Sequence, residues 1–309
     1  MENGLLNTLT KNWQFKSTIR SGKFSETPAE LFDPELKDYP ERLLPFIGHP
    51  EYERLDEQTK QTVNSISWIA WNKRVVDTEE LIVSPALSLL LTGDLELKLS
   101  GNYRGAIRQA IVDEYFHSHM HEITVQLTLD NRGIPIEQAS KLTRQALLYR
   151  EYKALAAQYS EQWQTNLILL IWCVVGELSI YEFLTFVSKD ESIQPASRSL
   201  VSLHERDEAV HASVIEEVLV DNFDQFSREY TDFIEEILPQ AVQAFSTVDW
   251  LVWEDVLSIS GVSKAKEIIR DISTDLAISS SIPLNRSFIR IKRFCEKVGI
   301  EYKVFEEAL

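Results

Sequence analysis

The chain has 309 residues, a formal net charge of −17 and an isoelectric point near 4.8, and 44% of its residues are hydrophobic. A chain of this length buries a sizeable core in one large domain or two ordinary ones. The acidic balance argues against a nucleic-acid partner, because phosphate binding needs a clustered excess of Lys and Arg. The two cysteines, Cys173 and Cys295, are too few for a cysteine-rich zinc site or an iron–sulfur cluster. We expect both to be buried free thiols.

The N-terminus lacks the charged start and apolar segment of a signal peptide. The longest apolar run extends from Leu167 to Gly176 and ends at Glu177, so it is too short to cross a bilayer. These features predict a soluble cytoplasmic protein without a membrane partner.

Residues 1–56 contain five of the ten prolines of the chain. Because proline interrupts both helices and sheets, this composition predicts an extended N-terminal arm with short helices. Aromatic residues in the arm, among them Trp13, Phe15 and Phe46, indicate that it packs on the main body rather than standing free.

From residue 57 onward, apolar residues recur at i, i+3, i+4 and i+7, as in amphipathic helices. Pro85 is expected to kink the first long helix about one turn after Glu79. No run with strand periodicity is long enough to form a sheet. The sequence therefore predicts an all-α helical bundle as one domain over 57–309, with extra C-terminal helices. The predicted helices lie at about 57–92, 103–131, 136–159, 161–189, 195–222, 226–246, 249–259, 263–279 and 284–298.

The motif Asp-Glu-x-x-His occurs twice, at Asp113–His117 and, 94 residues later, at Asp207–His211. Glu and His at i and i+3 share one face of a helix. In four-helix bundles, two such helices and one Glu from each of two others form a carboxylate-bridged site for two metal ions. Glu177 supplies one of these glutamates, because apolar residues surround it at helical spacing and an unpaired buried carboxylate is costly.

The remaining glutamate is Glu79 or Glu80, and the more apolar neighbours of Glu79 favour it. His204, one helical turn before Glu208, adds a further ligand. This oxygen-rich set suits iron or manganese better than zinc. The predicted ligands are Glu79, Glu114, His117, Glu177, His204, Glu208 and His211, and Asp113 and Asp207 are expected to orient the ligand imidazoles.

This set resembles the seven-ligand site of the AurF-like p-aminobenzoate N-oxygenase family, ferritin-like non-haem diiron enzymes that oxidise amines. The discriminating feature is the extra histidine, His204, and the segment Ile82-Val83-Ser84-Pro85-Ala86 after Glu79 is also similar. The resemblance covers residues 57–222. It implies two iron ions that cycle between Fe2+ and Fe3+, activation of O2, an external electron donor, and oxygen transfer to an amine in secondary metabolism. The product would be a hydroxylamine, nitroso or nitro compound.

The substrate stays open among arylamines, aliphatic amines and amino acids bound to a carrier protein. The same metals in a C-hydroxylase or desaturase are the main alternative, and an iron-storage protein is a weaker one. A redox partner is implied, and the long helices are compatible with a homodimer. Arg198 and Arg206 are available to bind a substrate carboxylate, although surface charges are the favoured interpretation. Candidate pocket residues are Tyr115, His121, Trp172, Tyr181 and Phe183.

Overall fold

The computed structural model describes residues 4–25, 32–275 and 288–301. In these ranges the chain is helical apart from its turns and one isolated bridge between Lys37 and Ile193, so the predicted all-α fold is confirmed. The α-helices are α1 (Gly4–Lys16), α2 (Thr18–Ser21), α3 (Pro50–Glu53), α4 (Glu57–Thr78), α5 (Ser84–Thr92), α6 (Gly101–Arg132), α7 (Ile136–Ala139), α8 (Leu147–Ala156), α9 (Gln162–Ser179), α10 (Tyr181–Ser188), α11 (Pro195–Val220), α12 (Arg228–Ser246), α13 (Trp250–Ile259), α14 (Ala265–Thr274) and α15 (Ile289–Val298).

Helices α4, α6, α9 and α11 form the centre of the bundle. Helix α6 packs against α4, α5 and α11, and α9 packs against α5, α11 and α12. Every residue of α9 from Asn166 to Ser179 is buried, which explains its nearly uniform apolar character. Among the described residues, the stretch Gln162–Ser188 is long and apolar enough to cross a membrane, but 83% of its apolar window is buried inside the protein. This stretch comprises α9, the buried helix of the bundle, and α10.

The first long helix contains a π-helical turn, Glu79–Val83, between α4 and α5. Here the N–H of Ser84 donates to the carbonyl of Glu79, five residues earlier, and Pro85 has no N–H to offer. The irregularity expected after Glu79 therefore takes the form of a widened turn. Glu79 is buried in this turn, whereas Glu80 is exposed.

The single helix predicted at 136–159 is wrong, because α7 and α8 are separated by turns at 140–146. Two side chains of α4 bind the main chain of this segment: Lys73 Nζ donates to the Leu142 carbonyl at 2.8 Å, and Asp77 Oδ2 accepts from the Ala146 N–H at 2.7 Å. These contacts replace the hydrogen bonds that a continuous helix would have made.

The helix predicted at 161–189 is likewise divided, at Ile180. Helices α14 and α15 fall within the two last predicted segments, whose parts at 276–279 and 284–287 lie outside the described residues.

The N-terminal arm packs on the bundle through polar contacts as well as aromatic ones. Asn64 of α4 accepts from the N–H groups of Asp38 and Tyr39 at 2.9 and 3.0 Å and donates to the Tyr39 carbonyl at 2.7 Å. Phe46 is fully buried as predicted, whereas Phe15 is 73% exposed and does not pack. The division of the chain at residue 56 stays a prediction.

Replacing Asn64 with Ala is expected to destabilise the protein by about 2 to 4 kcal/mol, because it leaves buried backbone groups of the arm without partners. Urea unfolding would measure the loss, and limited proteolysis would show faster cleavage in the arm. Thr62→Ala on the exposed face of the same helix is the matched control. Equal stability of the two variants would contradict the proposed anchoring.

Candidate metal centre

The seven side chains predicted as metal ligands meet inside the bundle, and all of them are buried. They come from the π turn, α6, α9 and α11. Their donor atoms form overlapping groups in which all atoms lie within 4.8 Å of one another. Two groups contain two imidazoles and two carboxylates, and the third contains carboxylates only. These groups are Glu79–His117–His204–Glu208, Glu114–His117–Glu208–His211 and Glu79–Glu114–Glu177.

In the two Asp-Glu-x-x-His motifs, the aspartate of each motif contacts the histidine of the other. Asp113 of α6 accepts from His211 Nε2 of α11 at 3.2 Å, and Asp207 of α11 accepts from His117 Nε2 of α6 at 3.4 Å. Both imidazoles therefore turn Nδ1 toward the glutamates, at 3.0 Å for His117 to Glu114 Oε2 and 2.7 Å for His211 to Glu114 Oε1. Each aspartate lies where it can orient a histidine of the opposite helix.

The N-terminal arm completes these aspartate contacts. Trp13 Nε1 donates to Asp113 Oδ2 at 2.8 Å, and the Thr18 N–H donates to Asp207 Oδ2 at 3.0 Å. Arg206 in turn donates to the Thr18 hydroxyl at 2.8 Å. Arg206 is thus tied to the arm and is not available as a substrate anchor. The sequence carries no local signal for contacts between residues so far apart.

His204 is held differently from the other two imidazoles. Its Nδ1 lies 2.9 Å from His121 Nε2, and its Nε2 faces Glu79 Oε1 at 3.4 Å and Glu208 Oε1 at 3.3 Å. Both His204 Nε2 and Glu79 Oε2 are buried without a hydrogen-bond partner among the described residues. Buried nitrogen and oxygen atoms that lack a hydrogen-bond partner in this way are suited to binding a cation.

The buried surroundings raise the pKa values of two glutamates, Glu177 and Glu79, and lower that of Glu208. Burial raises the pKa of Glu177 well above its usual range, and the charges of Glu208 and Glu114 raise it further. Burial and the charge of Glu114 raise the pKa of Glu79 to about 7. Burial also acts to raise the pKa of Glu208, but the charges and hydrogen bonds of His211 and His204 together outweigh it and hold that pKa well below its usual value. Without cations, the cluster therefore balances its charge with protons.

A cavity of about 150 Å³ opens onto the cluster and is lined by Glu79, Glu177, His204 and Glu208. An apolar cavity of this size holds one aromatic ring. Its remaining walls are largely apolar and aromatic, and they include Trp71, Val75, Val83, Phe183, Phe245 and Trp253.

Arg74 also lines the cavity, and its Nε is buried without a hydrogen-bond partner among the described residues. It lies on α4 five residues before Glu79, roughly 7.5 Å along the helix axis. Sequence reasoning missed Arg74 because it considered basic residues of α11 alone. The five-residue spacing places it about 140° from Glu79 around a regular helix, so helical periodicity gave no signal for it.

The five candidate pocket residues occupy different positions relative to the cavity. Phe183 lines the cavity, and Trp172 lines a neighbouring one. His121 is buried behind the cluster, and burial together with two nearby imidazoles lowers its pKa well below the usual value. Tyr181 does not line the cavity. Tyr115 is 56% exposed on the outside of α6, so its prediction as a pocket residue is wrong.

The fold and the buried cluster define a helical-bundle protein that can hold metal ions beside a cavity for a small molecule. The model of the family described as P-aminobenzoate N-oxygenase AurF matches residues 2–299. A 4-aminobenzoate N-oxygenase of Streptomyces thioluteus is 29% identical over 270 residues, which are 87% of this chain and 79% of that protein. The chain belongs to the AurF N-oxygenase family, and the predicted enzyme class, an N-oxygenase, is confirmed.

The metal-free protein is expected to lose stability as the pH rises from about 6 to 8. In the unfolded chain Glu79 and Glu177 ionise near their ordinary values, whereas their folded pKa values are raised, so the folded state holds extra protons in this window. Their stabilisation is complete at low pH and is lost as the pH passes the folded pKa. The raised pKa values of His117 and His211 act in the same direction.

Urea unfolding of the chelated protein across this range measures the effect. Each extra proton contributes a slope of about 1.4 kcal/mol per pH unit. Glu177→Gln should reduce the slope and stabilise the metal-free protein near the upper end, whereas Glu80→Gln on the surface should change neither. Stability that rises with pH would show that the cluster does not hold these protons.

Proposed function

We propose that this N-oxygenase uses two iron ions and O2 to oxygenate the amine of a single-ring arylamine that carries a carboxylate. One oxygen atom is transferred to nitrogen, and two electrons and two protons reduce the other to water, so that R–NH2 becomes R–NHOH. Further rounds would give the nitroso or nitro level. The observation that carries the proposal is the ring-sized cavity that joins Arg74 to the candidate ligands.

The proposed metal ligands are the seven clustered residues. Four buried carboxylates need about two divalent cations for charge balance, and oxygen and imidazole donors without thiolate suit iron. Bound iron would supply the electrons that activate O2. The protein holds the carboxylates in place, and the apolar cavity walls keep bulk water from the reaction. The proposed ligands are Glu79, Glu114, His117, Glu177, His204, Glu208 and His211.

Arg74 supports the carboxylate on the substrate. A guanidinium binds a carboxylate through two parallel hydrogen bonds, and the Arg74 Nε has no partner within the described residues. Asp249 also lines the cavity, but Arg150 neutralises it at 2.7 Å. With its carboxylate on Arg74, an aromatic amine would extend toward Glu79. The Streptomyces relative is named for 4-aminobenzoate, which has this arrangement of groups.

A free small molecule is favoured over a carrier-bound amino acid because the cavity holds about one ring. The proposal also includes an electron-transfer protein as the external donor, a homodimer and a cytoplasmic location. Cys173 and Cys295 are free and buried, as expected for a reducing compartment.

The proposed reaction is tested with iron-loaded, chemically reduced protein, 4-aminobenzoate and 18O2. Mass spectrometry should find 18O on the substrate nitrogen. Label on a ring carbon would support C-hydroxylation instead, and consumption of O2 with growth of an iron mineral and an unchanged amine would support iron storage. Either result would overturn the proposal.

Replacing Arg74 with Gln is expected to raise the KM for 4-aminobenzoate about 10- to 100-fold, because a charged hydrogen bond contributes about 1.5 to 3 kcal/mol. The KM for aniline, which lacks the carboxylate, should change little. Lys153→Gln, which removes a positive charge from the exposed side of α8, is the matched control. Equal losses with both substrates would rule out a carboxylate anchor at Arg74.

A further inference from the structure

A buried chain of hydrogen bonds leads from the main chain of α4 to His204. Asn72 Nδ2 donates to the Trp68 carbonyl at 2.7 Å. Asn72 Oδ1 lies 2.6 Å from His121 Nδ1, and His121 Nε2 lies 2.9 Å from His204 Nδ1. Asn72, His121 and His204 are at most 1% exposed, so water does not compete for these groups.

From this chain we infer that Asn72 and His121 are positioning residues that keep the proton of His204 on Nδ1 and leave its Nε2 free for a metal ion. The inference rests on the proposed metal-binding role of His204. Neither Asn72 nor His121 belongs to the candidate ligand groups, and neither lines the cavity.

The direction of each hydrogen bond follows from the one before it. A backbone carbonyl only accepts, so the amide nitrogen of Asn72 must face Trp68 and its oxygen must face His121. Because this oxygen only accepts, His121 carries its proton on Nδ1. A neutral imidazole with that proton has a lone pair on Nε2, which accepts from the Nδ1–H of His204. The lone pair of His204 is then on Nε2, facing Glu79 and Glu208.

The opposite arrangement is unfavourable on two grounds. A doubly protonated His121 would donate to His204 Nδ1, and a neutral His204 would then carry its proton on Nε2, where it blocks a metal. A cationic His121 would also be buried with Asn72 and His204 as its hydrogen-bond partners, neither of which is an anion. The uncharged chain is therefore the one compatible with a metal ion on His204.

This arrangement makes His204 chemically unlike His117 and His211. Those two imidazoles present Nδ1 and donate from Nε2 to a carboxylate, which raises their basicity as ligands. His204 presents Nε2 and donates to a neutral imidazole, which polarises it less. Of the two mixed ligand groups, the one that contains His204 should therefore hold its metal more weakly than the one that contains His211.

The proton positions can be measured directly in Zn(II)-loaded protein with 15N-labelled histidine, because Zn(II) is diamagnetic. Long-range 1H–15N correlation spectra should show protonated Nδ1 and unprotonated Nε2 on both His121 and His204. A proton on Nε2 of His121 would overturn the inference even if two Zn(II) ions bind. Failure of the wild-type protein to bind Zn(II) or iron at all would overturn the metal site itself, and the inference with it.

Variants test whether the hydrogen-bond chain from Asn72 to His204 affects metal binding. His121→Phe removes the acceptor of the His204 Nδ1–H. In calorimetric titrations the affinity for one of the two Zn(II) ions should fall about 10- to 100-fold, and the affinity for the other should not change. His121→Gln offers an amide oxygen to His204 and should recover most of the affinity. Asn72→Leu removes the acceptor of the His121 Nδ1–H, so in the metal-free variant the 15N shifts of His121 should average between those of the two tautomers.

Ser67→Ala is the matched control, because its hydroxyl bonds to the Val63 carbonyl on the same buried helix but does not join the chain. It should retain both affinities and the wild-type spectrum. Circular dichroism establishes that each variant is folded. A folded His121→Phe protein that binds both Zn(II) ions with wild-type affinity would refute the positioning role.

Discussion

Four glutamates buried within one helical core are the constraint on which the rest of this structure depends. Helix α9 places Glu177 in a stretch that is buried on every side, and the π turn buries Glu79 beside it. Such carboxylates repel one another and lose their hydration, so the folded chain must supply protons or cations. The raised pKa values of Glu79 and Glu177 are the response of the metal-free protein. A pair of divalent cations would balance the negative charge of the glutamates without protonating them. Metal binding and folding would then be coupled.

The residues that hold the candidate ligands in place come from distant parts of the chain. The crossed aspartates link α6 to α11, and the arm reaches each aspartate through Trp13 or Thr18. The arm therefore belongs to the metal centre, although its sequence resembles a surface appendage. His117 and His211 each donate a hydrogen bond to an aspartate, whereas the hydrogen-bond partner of His204 is the imidazole of His121. The pseudo-symmetry of the duplicated motif thus ends at the third histidine, and the two mixed groups of candidate ligands are chemically unequal.

Helical periodicity predicted the clustering of the seven residues because it reports which side of each helix faces the core. The same reasoning explains one failure: Tyr115 follows Glu114 directly, so it points about 100° away from the ligand face and is exposed. Periodicity contains no information about contacts such as Trp13 with Asp113, 100 residues apart. It also missed the break between α7 and α8, where side chains of α4 bind the main chain. Tertiary hydrogen bonds decided both features.

In the proposed function, a single helix carries both the substrate anchor and one of the candidate metal ligands. Arg74 and Glu79 lie on one continuous backbone, so the separation of their Cα atoms follows from helical geometry rather than from loop conformation. The π turn adds one residue after Glu79, and within it Val83 both lines the cavity and packs in the core with Ile82. In that proposal, the fixed backbone spacing favours substrates with a matching distance between carboxylate and amine. Because hydrogen bonds within one helix define that spacing, it is preserved even if the loops around the cavity move.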